Sequence, residues 1–312
     1  MKTISLITPV LNEEANLPFF LEAVRKVLFR NEDYAWELIF VEDGSSDRSW
    51  EVIRQFHAED SRVKGIRLSR NFGSHAALYA GFSACSGDAA AFLPCDLQDP
   101  PEVILEFMDK WEAGAEIVFG HRKNRGDSFG KRVTSQFFNV LLRRFAMPRG
   151  SAFTTGSFLL ADRKAIDAYL SYAEQNRITF ALFAWTGFQQ ERVDYNRKQR
   201  ERGRSGWNLG RMFKAFYDAF MGFSHLPVRL ITIAAFVTFG FSLLTFFYIL
   251  FSWVLGNPAP GWTSIMGVLT LFFSIQFFIM TIVGEYLHRI YLEVLKRPVY
   301  LRRETLGETE PR

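Results

Sequence analysis

Asp96, Gln98 and Asp99 bring two carboxylates and an amide oxygen together in Phe92-Leu93-Pro94-Cys95-Asp96-Leu97-Gln98-Asp99-Pro100-Pro101. Hard oxygen donors without His suit Mg²⁺ or Mn²⁺, and such an ion suits a diphosphate. The stretch follows an apolar run, Ala89 to Leu93, that reads as a buried strand, and a helical pattern starts at Glu102. The carboxylates therefore fall at the carboxyl end of a strand, where open α/β sheets bind ligands. The same residues would also serve as a helix start, with Asp99 as the cap and Pro100 at the first helical position. Taken alone, the stretch supports the two readings equally.

The elements that must position these groups alternate in type. Ile4 to Val10, Glu37 to Val41 and Val63 to Leu68 read as strands, and Ala89 to Leu93 as a fourth. Helical patterns follow the first three: one to about Phe29, one carrying Val52, Ile53 and Phe56, and a small-residue one from Ala76 to Ser83. Strand–helix alternation predicts a mostly parallel sheet. The polar turns Leu11-Asn12-Glu13-Glu14, Glu42-Asp43-Gly44-Ser45 and Ser69-Arg70-Asn71-Phe72-Gly73 then gather along one edge. There is no G-x-G-x-x-G after the first strand and no Walker lysine loop, so phosphates would be held by a cation and side chains.

Hydropathy splits the 312-residue chain in two. Up to about His225, charge and apolar residues mix as in a soluble domain. Val228 to Leu255 and Trp262 to Val283 are almost wholly apolar, each longer than the roughly 20 residues that cross a bilayer core. The linker between them is short and uncharged. Arg211, Lys214 and Arg229 precede the first run, and Arg289, Lys296, Arg297, Arg302 and Arg303 follow the second. The positive-inside rule predicts a hairpin with the amino-terminal domain and both termini cytoplasmic. Ile4 to Val10 is too short for the apolar core of a signal peptide. Cys85 and Cys95 suit a reducing compartment, and the net charge of +4 fits an anionic membrane surface or a phosphorylated substrate, with no nucleic acid expected.

Thr8-Pro9-Val10-Leu11-Asn12-Glu13, Val41-Glu42-Asp43-Gly44-Ser45, Ser69-Arg70-Asn71-Phe72-Gly73 and Asp96-Leu97-Gln98-Asp99-Pro100-Pro101 occur in that order, and Gly284-Glu285-Tyr286-Leu287-His288-Arg289 and Arg297-Pro298-Val299-Tyr300 near the end. This set resembles family 2 glycosyltransferases of the polyprenyl-phosphate type, which include dolichol-phosphate mannose synthases and bacterial undecaprenyl-phosphate sugar transferases. The resemblance implies an α/β fold, a GT-A Rossmann-like mostly parallel sheet domain followed by two transmembrane helices. It also implies Mg²⁺ or Mn²⁺, a nucleotide-sugar donor, a polyprenyl-phosphate acceptor, and a multi-pass enzyme of the plasma (inner) membrane. The expected organisation is a glycosyltransferase domain over 1–208, an interfacial helix over 209–227, the hairpin over 228–288 and a basic tail over 289–312. Packed spans are compatible with a homo-oligomer.

Carried over residue by residue, Pro9, Leu11, Glu13, Glu42, Asp43, Arg70, Asn71 and Asp96 would border the nucleotide-sugar, and Asp96 and Gln98 would hold the ion. Asp96, Ser157 and Arg122 would be the catalytic positions. Arg122, Lys131, Arg132, Arg202, Arg204 and Ser205 would meet the acceptor and its phosphate. The chain departs from the family pattern at Pro94, Leu11 and Glu42, at Ser157 where a carboxylate is usual, and at Gly206 where a lysine is usual. An acceptor phosphate monoester, with a second pKa of about 6, is already largely a dianion and gains little from a general base. Arg202 and Arg204 can replace the lost lysine as planar phosphate forks. Two segments, Phe129 to Met147 and Leu209 to Phe223, carry apolar faces with basic neighbours and read as interfacial helices, or else as stripes packed on the sheet. The departures also motivate a second reading, a non-catalytic relative that serves as a scaffold or partner of another glycosyltransferase. A transferase for a different lipid or a glycan ranks lower, because the Gln-x-x-Arg-Trp signature of processive synthases is missing.

Overall fold

The computed structural model describes residues 1–123, 158–175, 177–197, 226–255 and 261–307. It divides into two compact units, Met1–Ala219 with Pro298–Arg312, and Phe220–Arg297.

The first unit is built on one sheet with strand order β7-β5-β6-β4-β1-β2-β3-β8. Its strands are β1 (Lys2–Val10), β2 (Tyr34–Glu42), β3 (Val63–Leu68), β4 (Ala89–Phe92), β5 (Ile117–Arg122), β6 (Leu159–Asp162), β7 (Gln190–Tyr195) and β8 (Arg302–Leu306). β1 pairs in parallel with β2 and β4, β2 with β3, and β5 with β7, whereas β6 and β8 run antiparallel to their neighbours. Six strands therefore share one direction, and Val10, Glu42, Leu68, Phe92, Arg122 and Tyr195 finish along the same edge.

The helices α1 (Leu17–Val27), α2 (Ser49–Glu59), α3 (Ser74–Ala84) and α4 (Glu102–Glu112) follow the first four strands, and α5 (Arg163–Ser171) and α6 (Thr179–Trp185) lie between β6 and β7. The central strands β1 and β2 are buried along nearly their whole length, as strands covered on both faces are. Phe20, Phe40 and Phe56 form one core, with Phe20 and Phe40 rings edge-on at 5.8 Å. Helix α3 has almost no polar face because its small side chains let it lie close against β1 and β2.

A buried carboxylate braces the amino-terminal half of the sheet. Glu37 accepts hydrogen bonds from Ser5 Oγ, from Lys64 Nζ at 2.8 Å and from the Ser86 N–H at 2.6 Å. Burial alone would raise its pKa, but these three donors outweigh it and hold the group below the ordinary glutamate range. A depressed folded pKa contributes stability above the unfolded value, about 4.3, that disappears as pH falls through the folded value. Glu37→Gln is expected to cost about 1.5–3 kcal/mol at pH 7 and to flatten this acid slope, read from urea midpoints between pH 3 and 7.

The carboxyl-terminal segment is a strand and not only a tail. β8 adds to β3, Glu304 accepts from Trp50 Nε1 at 3.0 Å and pairs with Arg54 at 2.8 Å, and Ser69 N–H reaches Leu301 O at 2.9 Å. Exposed and half-buried positions alternate from Arg303 to Leu306, as suits a strand at the sheet's edge with one face toward solvent.

The second unit contains α7 (Leu226–Val254) and α8 (Trp262–Leu295). α8 runs through the boundary expected at 288, because nothing in Arg289 to Leu295 breaks a helix, and it ends at Lys296 in the left-handed conformation. Gly267–Leu295, with mean hydropathy 2.0, is long and apolar enough to cross a membrane, and among the described residues one helix meets that test. Phe236, Phe247 and Phe251 of α7 and Phe273, Phe277 and Phe278 of α8 are exposed. Aromatic surface of this extent has no counterpart on an ordinary water-facing helix.

Candidate active site

The β1–α1 and β2–α2 loops are stitched together by short polar side chains. Asn12 sits at φ +56, a conformation Asn tolerates. Its N–H donates to Ser45 Oγ at 3.0 Å, and its Oδ1 accepts from Ser46 N–H at 2.8 Å. Glu13 N–H donates to Ser49 Oγ at 3.0 Å, and Glu13 Oε2 accepts from the Asn16 side chain. Pro9 is half-buried at the end of β1, and Leu11 is exposed beside it.

Glu42 and Asp43, expected to border the nucleotide, are buried and hold loops. Glu42 accepts from Ser45 N–H and lies 3.2 Å from Arg67 Nε. Asp43 accepts from Phe72 N–H at 2.7 Å and Gly73 N–H at 2.9 Å, which ties the β3–α3 loop to β2. Burial pushes the Asp43 carboxyl above its ordinary value despite those two amides. Arg70 and Asn71 are exposed on the loop so held, with the Arg70 guanidinium 3.9 Å above the Phe72 ring.

β4 lies next to β1, so its loop meets the first one. Leu93 N–H bonds Ile7 O at 3.0 Å, Thr8 Oγ1 donates to Leu93 O at 2.9 Å, and Cys95 Sγ is 4.0 Å from Pro9 O. Leu97 takes φ +52, which costs a non-glycine residue about 1–2 kcal/mol. Flanking this kink, Asp96 and Gln98 are half-buried, and Gln98 N–H donates to Asp96 Oδ1 at 3.2 Å.

The cap reading of Asp99 is corrected. Helix α4 has no side-chain cap, and Asp99 is fully buried. It accepts from the Tyr195 hydroxyl, and it faces Arg122 NH2 at 3.4 Å and Arg197 Nε at 3.3 Å. Arg122 Nε also donates to the Tyr195 hydroxyl at 3.1 Å, and Arg197 NH2 lies 3.9 Å from Asp96 Oδ2. Burial and the Asp99 charge drive the Tyr195 phenol well above its ordinary value. Burial works against the Arg122 charge, but Asp99, Tyr195 and Asp96 more than offset it. Tyr195 and Arg197 were not among the sequence candidates. Tyr195 meets Asp99 across 96 residues of chain, and no local pattern reports such a pairing.

Among the described residues, no three His, Cys, Asp or Glu side chains converge on one point. That donor set does not suit a resident ion caged by protein alone. Asp96 with the Gln98 amide suits a magnesium-class ion that takes its remaining oxygens from a diphosphate and water. Ser157, Lys131, Arg132, Arg202, Arg204, Ser205 and Gly206 lie outside the described residues, as do the segments 129–147 and 209–223.

A mostly parallel sheet with acidic loops at one carboxyl edge, basic side chains facing them and no glycine-rich phosphate loop defines a GT-A type of sugar-transferase domain. Comparison with known proteins makes the assignment specific. Residues 5–170 match the model of glycosyl transferase family 2, and the chain belongs to that family of enzymes. It is 36% identical over 97% of its length to the uncharacterized glycosyltransferase YkcC of Bacillus subtilis (strain 168), covering 94% of that protein. It is 34% identical to the SfII prophage-derived bactoprenol glucosyl transferase of Shigella flexneri, over 96% of each chain. The fold is similar to that of mannosyl-3-phosphoglycerate synthase from Rubrobacter xylanophilus, with TM-score 0.50 and 16% identity over 70% of this chain and 71% of that one.

Proposed function

We propose that this enzyme moves one sugar from a nucleotide-sugar to a polyprenyl phosphate at the cytoplasmic face of a membrane. The observation that carries the reading is similarity to a bactoprenol glucosyl transferase across 96% of both chains, the apolar helices included.

In this reading the donor lies along the ends of β1, β2 and β3, against Pro9, Leu11, Glu13, Arg70 and Asn71. Glu42 and Asp43 act through the loops they hold. Asp96 and Gln98 would hold Mg²⁺ or Mn²⁺, which when bound offsets charge on the departing nucleoside diphosphate. Arg122 and Arg197 add fixed positive charge at the same edge. The acceptor phosphate is already ionised, so it attacks the anomeric carbon directly, from the side opposite the leaving group, and inverts the configuration. Ser157 then needs only to orient, and Lys131, Arg132, Arg202, Arg204 and Ser205 belong to the acceptor side. α7 and α8 form a two-span anchor that keeps both termini cytoplasmic.

The test uses full-length protein in detergent with undecaprenyl or dolichyl phosphate, a panel of nucleotide-sugars, and Mg²⁺ or Mn²⁺. The expected result is ion-dependent release of nucleoside diphosphate with formation of a lipid-linked sugar. Nucleotide binding without turnover on any lipid phosphate would overturn the reading and favour a non-catalytic partner of another glycosyltransferase.

A further inference from the structure

We infer that Asp99 is a positioning residue that holds Arg122 and Arg197 as a two-guanidinium clamp for phosphate. The inference rests on the reading of this edge as a phosphate-handling site, but not on the identity of the acceptor.

The argument starts from burial. Asp99 has no exposed surface, so its carboxylate contacts neither ion nor substrate from solvent. Three groups from two later strands close on it: Arg122 at the end of β5, Tyr195 at the end of β7 and Arg197 just beyond. β5 and β7 are paired, with Arg122 opposite Tyr195. The carboxylate therefore sits against a strand pair, with Arg122 nearest one of its oxygens and Arg197 nearest the other. Both guanidiniums keep part of their surface, 21% for Arg122 and 30% for Arg197. Arg122 commits Nε to Tyr195 and NH2 to Asp99, and Arg197 turns Nε toward Asp99 and NH2 toward Asp96. A planar guanidinium fixed at one side offers the rest in a set direction, which suits phosphate oxygens.

Charge accounting supports the same role. Asp96 and Asp99 supply two negative charges and Arg122 and Arg197 two positive ones, so the cluster is neutral before a ligand arrives. Without Asp99, the two arginines would repel one another and swing toward solvent or toward Asp96. Arg197 also opens the segment that carries Arg202 and Arg204, so Asp99 anchors the point from which that basic run departs.

Asp99→Asn provides the test, because two models of the site predict opposite signs. If Asp99 were a bystander, neutralising it would remove a repelling charge, and anions would bind more tightly. If it positions the arginines, anions bind more weakly despite the extra positive charge. Full-length protein in detergent is titrated calorimetrically with inorganic pyrophosphate in EDTA, and separately with a short-chain prenyl monophosphate. At least a tenfold loss of affinity is expected for Asp99→Asn, with an unchanged circular dichroism spectrum. Loss confined to pyrophosphate assigns the clamp to the donor, and loss confined to the prenyl monophosphate assigns it to the acceptor; either supports the inference. If Asp99→Asn does not fold, Tyr195→Phe, which removes one hydroxyl shared by Asp99 and Arg122, is expected to lose two- to fivefold. Unchanged or tighter binding in the variant that folds, or no binding of either anion by the wild type, overturns the inference. Wild-type anion binding without lipid glycosylation would leave the clamp standing and remove only the proposed acceptor.

Discussion

Asp96→Ala is expected to lower sugar transfer by about 10²–10³-fold while leaving the fold intact. The side chain is half-buried at a kinked loop, where Gln98 N–H donates to it at 3.2 Å and Arg197 stands 3.9 Å away. Asp96 lies in a loop beyond the end of β4 and outside the apolar core, and a loss of about 1 kcal/mol in stability is the scale for such a site. In the proposed reading its removal deprives the diphosphate of a carboxylate that its neighbours in the loop do not replace, since Asp99 is engaged by Tyr195, Arg122 and Arg197 and Pro94 has no side-chain oxygen. The check is turnover together with nucleoside diphosphate affinity, each with the ion present and with it chelated. In the wild type the ion should tighten binding; in Asp96→Ala the two conditions should converge. Activity within tenfold of wild type, with the ion effect preserved, would show that the ion is held elsewhere.

The second large effect is expected at Gly44. This residue sits at φ +74, and a Cβ there would stand 2.4 Å from Asn71 N and 2.6 Å from Arg70 C. Both obstacles are backbone, so no change of rotamer relieves the clash. Left-handed strain of about 1–2 kcal/mol and overpacking of about 1–3 kcal/mol together predict that Gly44→Ala costs about 2–5 kcal/mol. Against a typical total of about 5–15 kcal/mol this is a large fraction. The loop that must yield carries Arg70 and Asn71, so donor affinity should fall even in protein that remains folded. Urea midpoints give the first quantity and titration with nucleoside diphosphates the second. A midpoint equal to wild type would mean that the two loops do not touch in solution as they do here.

Much of the architecture could be read from the chain alone. Buried apolar strands alternating with helices have few alternatives to a parallel sheet, and β1 to β4 fall where the strand patterns place them. The loops were legible for the same reason, since in such a sheet every β–α turn lies at one edge. β5 to β8 are harder to read from the chain, because Ile117 to Phe119 and Phe158 to Ala161 are apolar runs too short to tell strand from helix, and Gln190 to Tyr195 and Arg302 to Leu306 are mostly polar.

The sequence by itself determined which groups stand at the carboxyl edge of the first four strands: Glu13, Asp43, Arg70, Asp96 and Gln98 each follow a strand legible in the chain, and topology does the rest. Only the tertiary structure decided what each does. Asp96 and Asp99 are alike in type and three positions apart, yet one reaches the edge and the other is sealed beneath it by Tyr195, Arg122 and Arg197. Glu42 and Asp43 are turned inward onto loop amides and Arg67. The physical reason is that burial and partner are properties of space: a carboxylate's role depends on which donors the distant strands bring to it.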